Sequence, residues 1–250
     1  MSITLKKNTN KPNLDIPEFL CDDGISNSIS RYEMTSFMNK YTMNGFIGKA
    51  GSGKTSLLLS MLTGKKDKKI FRKAFNNILL VMPESSRNSL KKNIFENHPP
   101  EKMYEELSQE TINDIYEKLL TYSSEGETTM LILDDVGASL KNNSIGENMR
   151  KICYNRRHLK VSIFLLIQSY MSLPKEIRKM YNNIFVLYKP SKVEIENLFN
   201  ELFETKKDLC IDIMNFVFKN PHDYLMLNID SQKMYRDFDE IIINPKEMNF

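Results

Sequence analysis

Four predominantly apolar runs punctuate the chain, at residues 77–83, 129–133, 160–167 and 183–188, and a fifth, weaker one carries Met43, Phe46 and Ile47. Runs of this length, bounded by polar or turn-forming residues, predict strands buried on both faces, as in a parallel sheet. Between them the apolar positions change to helical spacing. Ser108 is placed as an N-cap, followed by Ile112, Ile115, Tyr116 and Leu119. Further helices are expected over 89–95, 145–155, 174–180 and 208–218, the last stopped by Asn220 and Pro221. Ser191 and Glu194 make a capping-box pattern for a helix carrying Val193, Leu198 and Leu202. Alternation over 223–230, and again near 233–243, predicts a terminal hairpin or two edge strands. Residues 1–40 hold turn formers (Asn8, Asn10, Pro12, Asn13, Pro17, Gly24) with little period, and read as an irregular N-terminal arm. The remainder, 41–250, reads as one α/β domain, although length alone allows one domain or two.

The weakest apolar run leads into the most specific motif. Gly48-Lys49-Ala50-Gly51-Ser52-Gly53-Lys54-Thr55 matches G-x-x-x-x-G-K-[ST] in full, and residues 56–62 continue as a helix. Glycines let such a loop curl so that backbone N–H groups point inward, and the following helix adds the positive end of its dipole. The concavity from Gly48 through Ser56 therefore suits the polyphosphate of ATP, with Lys54 reaching the β- and γ-phosphates and the Thr55 hydroxyl on Mg²⁺. A plain tight turn would also use glycines, but it does not require the strand before and the helix after.

The run 129–133 stops at Asp134 and Asp135, about 80 residues after the loop lysine. Acids at the carboxyl end of a strand sit where α/β sheets bind ligands. Asp134 is the expected Mg²⁺ holder, directly or through water, and Asp135 the general base. The run 160–167 ends in Gln168, whose amide at a neighbouring strand tip is placed to orient water or sense hydrolysis. In order, these elements predict an additional-strand P-loop NTPase fold (RecA/FtsK-like). Its mostly parallel central sheet has the order 5-1-4-3-2, with flanking helices and C-terminal edge strands.

Composition narrows the field. Net charge is +3, from 35 Lys and Arg against 32 Asp and Glu, which is too little for a globally basic nucleic-acid binder, so any polyanion contact must be local. Residues 65–73 are the densest basic stretch and serve either as a solvated loop or as a phosphate-backbone contact. The three cysteines, Cys21, Cys153 and Cys210, lie far apart and support neither a zinc site nor a disulfide framework. No apolar run approaches the roughly 20 residues of a membrane span, and the N-terminus has no signal-peptide core. A soluble, intracellular protein is expected.

The blocks GKAGSGKT, LILDD, NRRHLKVSIFLLIQS and PHDYLMLNID resemble the genome-packaging ATPases of the FtsK–HerA superfamily found in nucleocytoplasmic large DNA viruses, poxviruses and virophages. The resemblance runs from about residue 40 to residue 240. It implies a homo-oligomeric ring, pentamer or hexamer, that hydrolyses ATP to drive double-stranded DNA into a preformed capsid without reading its sequence. Implied with it are a capsid or vertex partner and a place in the cytoplasm of the infected cell, in the virus factory or on the virion. An arginine from one subunit is expected to enter the neighbour's site. The match points to Arg156 or Arg157, with Arg157 preferred and Arg150 and Arg178 behind it. Residues 65–73 and 141–144 are the candidate DNA loops. Asp135 stands where many members of the superfamily carry glutamate, which shortens the reach of the base. Two other classes remain at this stage: an AAA+-like helicase loader or replication ATPase, which would carry a C-terminal helical lid, and a regulatory protein that uses ATP as a switch.

Overall fold

Period-two alternation divides each central strand between two apolar layers, and this is visible in a computed structural model that describes residues 2–7, 40–63, 70–71, 73–88, 94–203 and 207–244. In β5 (Thr129–Asp134) and β6 (Val161–Ile167), Leu131, Leu133, Ile163 and Leu165 face one cluster, while Met130, Ile132, Phe164 and Leu166 face the other. The first cluster is closed by helices α3 (Gln109–Ser124), α4 (Asn143–Asn155), α6 (Lys192–Leu202) and α7 (Lys207–Val217). The second is closed by α1 (Lys54–Thr63), through Leu57, Leu58, Leu59 and Met61. Burial on both sides is why these strands read as apolar runs, and each buried Leu, Ile or Phe contributes about 1.5–3 kcal/mol.

The remaining strands are β1 (Ser2–Lys6), β2 (Met43–Ile47), β3 (Asn77–Val81), β4 (Met103–Tyr104), β7 (Asn183–Val186), β8 (Leu225–Asn228), β9 (Lys233–Arg236) and β10 (Asp239–Asn244). Two short α-helices, α2 (Glu84–Asn88) and α5 (Lys175–Arg178), and three 3-10 turns complete the described elements. The strands form one sheet in the order β1-β10-β9-β8-β7-β2-β6-β5-β3-β4. Its five longer parallel strands, numbered among themselves along the chain, run 5-1-4-3-2. At the switch to antiparallel pairing, Asn183 Nδ2 donates to Asn44 Oδ1 at 2.9 Å and Asn228 Nδ2 donates to Asn183 Oδ1 at 2.8 Å. These buried amides cross β2, β7 and β8 and fix their register, because slipping the pairing would strand polar groups at about 1–3 kcal/mol each.

Several expectations need correction. Residues 2–6 are not part of an irregular arm: Ile3 pairs with Ile243 and Leu5 with Ile241, so the chain start forms an edge strand on β10. Residues 8–39 lie outside the described residues. The tail forms the expected antiparallel hairpin, β8 with β9, and goes further: β8 joins the parallel strands through β7, and β10 extends the sheet beyond β9. The helix expected over 174–180 is one turn, because Lys179 and Met180 already lead into Asn182 and β7. Most of the helix expected over 89–95 lies outside the described residues. Ser191 caps α6, its Oγ accepting from the Glu194 N–H at 3.3 Å, but the Glu194 side chain turns inward instead of closing a capping box.

Candidate active site

β6 lies between β2 and β5, so the tips of three adjacent parallel strands open on one crevice. Ile47 is level with Ile167, and Asp134 with Leu166. The glycine loop leaves β2 at Gly48, whose N–H donates to the Ile167 carbonyl at 3.0 Å, and the Ser52 N–H donates to the Lys49 carbonyl at 3.1 Å. A Cβ on Gly48 would meet Ser52 Oγ at 2.2 Å and the Cβ atoms of Ser52 and Leu187 at 3.1 and 3.2 Å, so any side chain here would force Ser52 to move. Gly53 has φ +96°, a left-handed conformation that glycine adopts at little cost. Helix α1 follows at once, with the Leu57 N–H on the Gly53 carbonyl at 2.8 Å, and its N-terminus carries partial positive charge into the loop.

Lys54 Nζ donates to the carbonyls of Gly48 at 2.7 Å and Lys49 at 3.2 Å. Burial pulls its pKa down, and the carboxylates of Asp134 and Asp135 push it back up, which puts all three groups within electrostatic reach. Asp134 is buried, and that burial raises its carboxyl to about 6, with Lys54 opposing the rise and Asp135 adding to it. Asp135 takes φ +57°, its N–H still donating to the Leu166 carbonyl at 3.0 Å. Aspartate tolerates the left-handed region, and the turn it makes ends β5 and leaves its carboxylate exposed. Two successive acids thus end up differently, one inside against Lys54 and one at the mouth. There Gln168 Nε2 donates to Asp135 Oδ1 at 3.2 Å.

The donor set fits a nucleotide with a hard cation. Ser52 Oγ is buried within the loop without a hydrogen-bond partner. Asp134 is a buried carboxylate, and the half-buried Thr55 follows Lys54 in the first turn of α1. Among the described residues no cluster of three or more His, Cys, Asp or Glu is present. A site of one carboxylate and one hydroxyl is the sparse kind that Mg²⁺ completes with water and substrate phosphates.

The arginines separate clearly. Arg156 is spent inside its own chain, its Nε on the Tyr41 carbonyl at 2.9 Å, Nη1 on the Cys153 carbonyl at 2.9 Å and Nη2 on Asn182 Oδ1 at 3.3 Å. Arg178 is likewise spent, bound through Nε and Nη2 to Glu201 at 3.0 and 2.7 Å. Both guanidiniums are thus held by partners within their own chain. Arg150 is half-buried along α4. Arg157 is exposed in the turn before β6, at the opposite end of that seven-residue strand from Gln168, about 23 Å along it. Of the candidate DNA loops, residues 64–69 and 72 lie outside the described residues. Residues 141–144 are no open loop: they end a 3-10 turn and start α4, where Asn142 Oδ1 caps the amides of Ser144 and Ile145.

Three further residues reach this crevice without having been expected there. The Tyr188 ring lies under the Lys49 ammonium at 5.8 Å. Glu194 holds the chain just past Gln168. His222, at φ +67°, brings Nδ1 to 3.6 Å from where a Gly53 Cβ would be. The block PHDYLMLNID was visible as a pattern, but its place beside the glycine loop follows from β8 pairing with β7.

A family model of the poxvirus A32 protein matches residues 29–239. The chain belongs to the poxvirus A32 family. It is accordingly an ATPase of the viral genome-packaging type, of the FtsK–HerA kind. No curated protein matches it in sequence. Its fold is similar to that of B204, the DNA-packaging ATPase from Sulfolobus turreted icosahedral virus, at 14% identity and a TM-score of 0.59 over 80% of this chain and 98% of that one. B204 from Sulfolobus turreted icosahedral virus 2 in complex with ATP-gammaS gives 14% identity and a TM-score of 0.56 over the same shares. The cytoplasmic domain of the type VII secretion ATPase EccC from Thermomonospora curvata gives 13% and 0.51, over 83% of this chain and 27% of that one. At these identities the likeness establishes the P-loop NTPase fold. The helicase-loader alternative is not favoured by the family match.

Proposed function

We propose that this A32-family chain is the motor subunit of a homo-oligomeric ring that hydrolyses Mg²⁺-ATP to move double-stranded DNA into a preformed capsid. The observation that carries the reading is the meeting of Lys54, Asp134, Asp135 and Gln168 at the tips of β2, β5 and β6. A protein that only senses ATP has no need of an exposed second acid beside a buried first one.

In this reading Lys54 exchanges its carbonyl partners for the β- and γ-phosphates, and the loop from Gly48 to Ser56 cradles the chain of phosphates. Thr55 and Asp134 would hold Mg²⁺, which when bound supplies positive charge against the phosphate oxygens. Asp135 takes the proton of the attacking water, and Gln168, already bonded to Asp135, orients that water. Arg157 is the arginine offered to the neighbouring subunit: it is exposed and lies far from its own loop, so it serves only in trans. Such fingers are worth about 10³ to 10⁵ in rate. DNA contact is to phosphates, hence salt-sensitive and indifferent to sequence. Pentamer or hexamer, a capsid or vertex partner, and the cytoplasmic virus factory as the place of action belong to the same proposal. No helix among the described residues is long and apolar enough to cross a membrane.

The test is ATP turnover by the full chain with and without linear duplex DNA. Stimulation that is equal across duplex sequences and falls with salt supports the motor. Turnover that responds only to an added protein, or no turnover at all, overturns it.

A further inference from the structure

Glu194 is a buried carboxylate in the first turn of α6, and its hydrogen bonds reach two parts of the crevice. Oε1 accepts from Ser169 Oγ at 2.6 Å and from the Tyr170 N–H at 2.7 Å, the two residues that follow Gln168. Oε2 accepts from the Tyr188 hydroxyl, and the Tyr188 ring carries the ammonium of Lys49, a member of the glycine loop. Burial first, and then this hydrogen bond, hold the Tyr188 phenol above its ordinary pKa, so it remains a donor. Two turns further along the same face of α6, Glu201 Oε2 accepts from the Tyr170 hydroxyl at 2.7 Å. One helix therefore grips Tyr170 at its backbone and at its ring, directly downstream of the Gln168 amide.

The grip matters because Gln168 is exposed and, among the described residues, its side chain bonds only to Asp135. Its direction is set by the backbone it stands on. Ser169 has φ −146° and ψ 140°, an extended residue between β6 and a 3-10 turn, and its side chain, held by Glu194, also accepts from the Met171 N–H at 3.2 Å. Were Glu194 absent, Ser169 and the Tyr170 amide would lose their buried acceptor, and the residues after Gln168 would lose the side-chain contact that anchors them to α6.

We infer that Glu194 is the positioning residue of the hydrolytic site, fixing Gln168 against Asp135 and tying that geometry to Lys49 through Tyr188. This rests on the role proposed above for Gln168. Glu194 touches no reacting atom; it acts through the amide. Glutamine in its place keeps the shape but puts an NH2 where one of three donors must be accepted, so one contact fails.

The experiment measures kcat, KM and nucleotide Kd for Gln168→Ala, Glu194→Gln, Glu194→Asp and the double variant Gln168→Ala/Glu194→Gln, all well below their melting temperatures. Gln168→Ala is expected to lower kcat by about 10². Glu194→Gln should lower kcat about tenfold or more with Kd within about threefold, and Glu194→Asp should restore part of it. The double variant should be no slower than Gln168→Ala alone, since positioning a missing amide has no further value. An additive loss in the double variant, or wild-type kcat in Glu194→Gln while Gln168→Ala is impaired, overturns the inference. Unimpaired Gln168→Ala overturns instead the role of Gln168 on which it rests. If Glu194→Gln fails to fold, Tyr188→Phe, which keeps the ring under Lys49 and removes one donor, is read on the same cycle with Gln168→Ala.

Discussion

Asp135→Asn separates binding from chemistry more sharply than any other single change. Asp135 is exposed and left-handed, and asparagine adopts that conformation as readily, so the turn closing β5 survives. Asn Oδ1 also accepts from Gln168 Nε2 as the carboxylate does, and an exposed swap of this kind costs about 0.5 kcal/mol or less of stability. The phosphate cradle is untouched, because Lys54 and the loop amides lie on α1 and the loop before it, and nucleotide Kd stays within about twofold. What disappears is the proton acceptor. General-base catalysis contributes about 10² to 10⁴, which at about 1.36 kcal/mol per decade is about 3–5 kcal/mol of barrier. Single-turnover hydrolysis, with binding measured separately by calorimetry, reads both quantities. Turnover within about threefold of wild type, with full nucleotide binding, would refute the assignment of Asp135 as base.

Lys54→Ala removes the ammonium that the Gly48 and Lys49 carbonyls hold within the loop, and is expected to raise nucleotide Kd about tenfold or more by calorimetry and to abolish turnover. Arg157→Ala should lose about 10³ in rate yet regain part of it when mixed with Lys54→Ala subunits, each supplying half of a shared site; rings that form without any rescue count against the finger. Glu201→Gln leaves the Arg178 guanidinium, 8% exposed, without its carboxylate, and should cost about 2–3 kcal/mol, seen as a melting temperature about 5–10 °C lower. Burial raises the Glu201 carboxyl, but hydrogen bonds from Arg178 and Tyr170 outweigh it and hold the group below its ordinary 4.5. Its stabilisation is therefore present above that value and lost as pH falls through the folded-state pKa, so the difference between wild type and Glu201→Gln should shrink in acid.

What could be read from the sequence was whatever is local. The glycine loop is contiguous, the two acids end one apolar run, and Gln168 ends another, so each is announced within ten residues of itself. Their meeting is also legible, because parallel strands of an additional-strand sheet point their tips the same way. The rest depends on partners distant in the chain. Ile3 and Leu5 are too short a pattern to call a strand without β10, whose residues lie some 240 positions later. Arg156 and Arg157 look alike as a basic pair, and only packing against Tyr41 and Asn182 distinguishes the spent one from the exposed one. Glu194 reads as a helix cap because Ser191 stands three residues before it, while its partners Ser169 and Tyr188 belong to other elements. His222 reaches the glycine loop only because the sheet turns antiparallel at β8.

The most direct measurement is displacement of a labelled third strand from duplex DNA by the assembled protein. If the crevice of Lys54, Asp134, Asp135 and Gln168 drives movement along DNA, the strand is released in an ATP-dependent manner, independent of duplex sequence, and not by Asp135→Asn. ATP hydrolysis at full rate with the third strand left in place would contradict the motor.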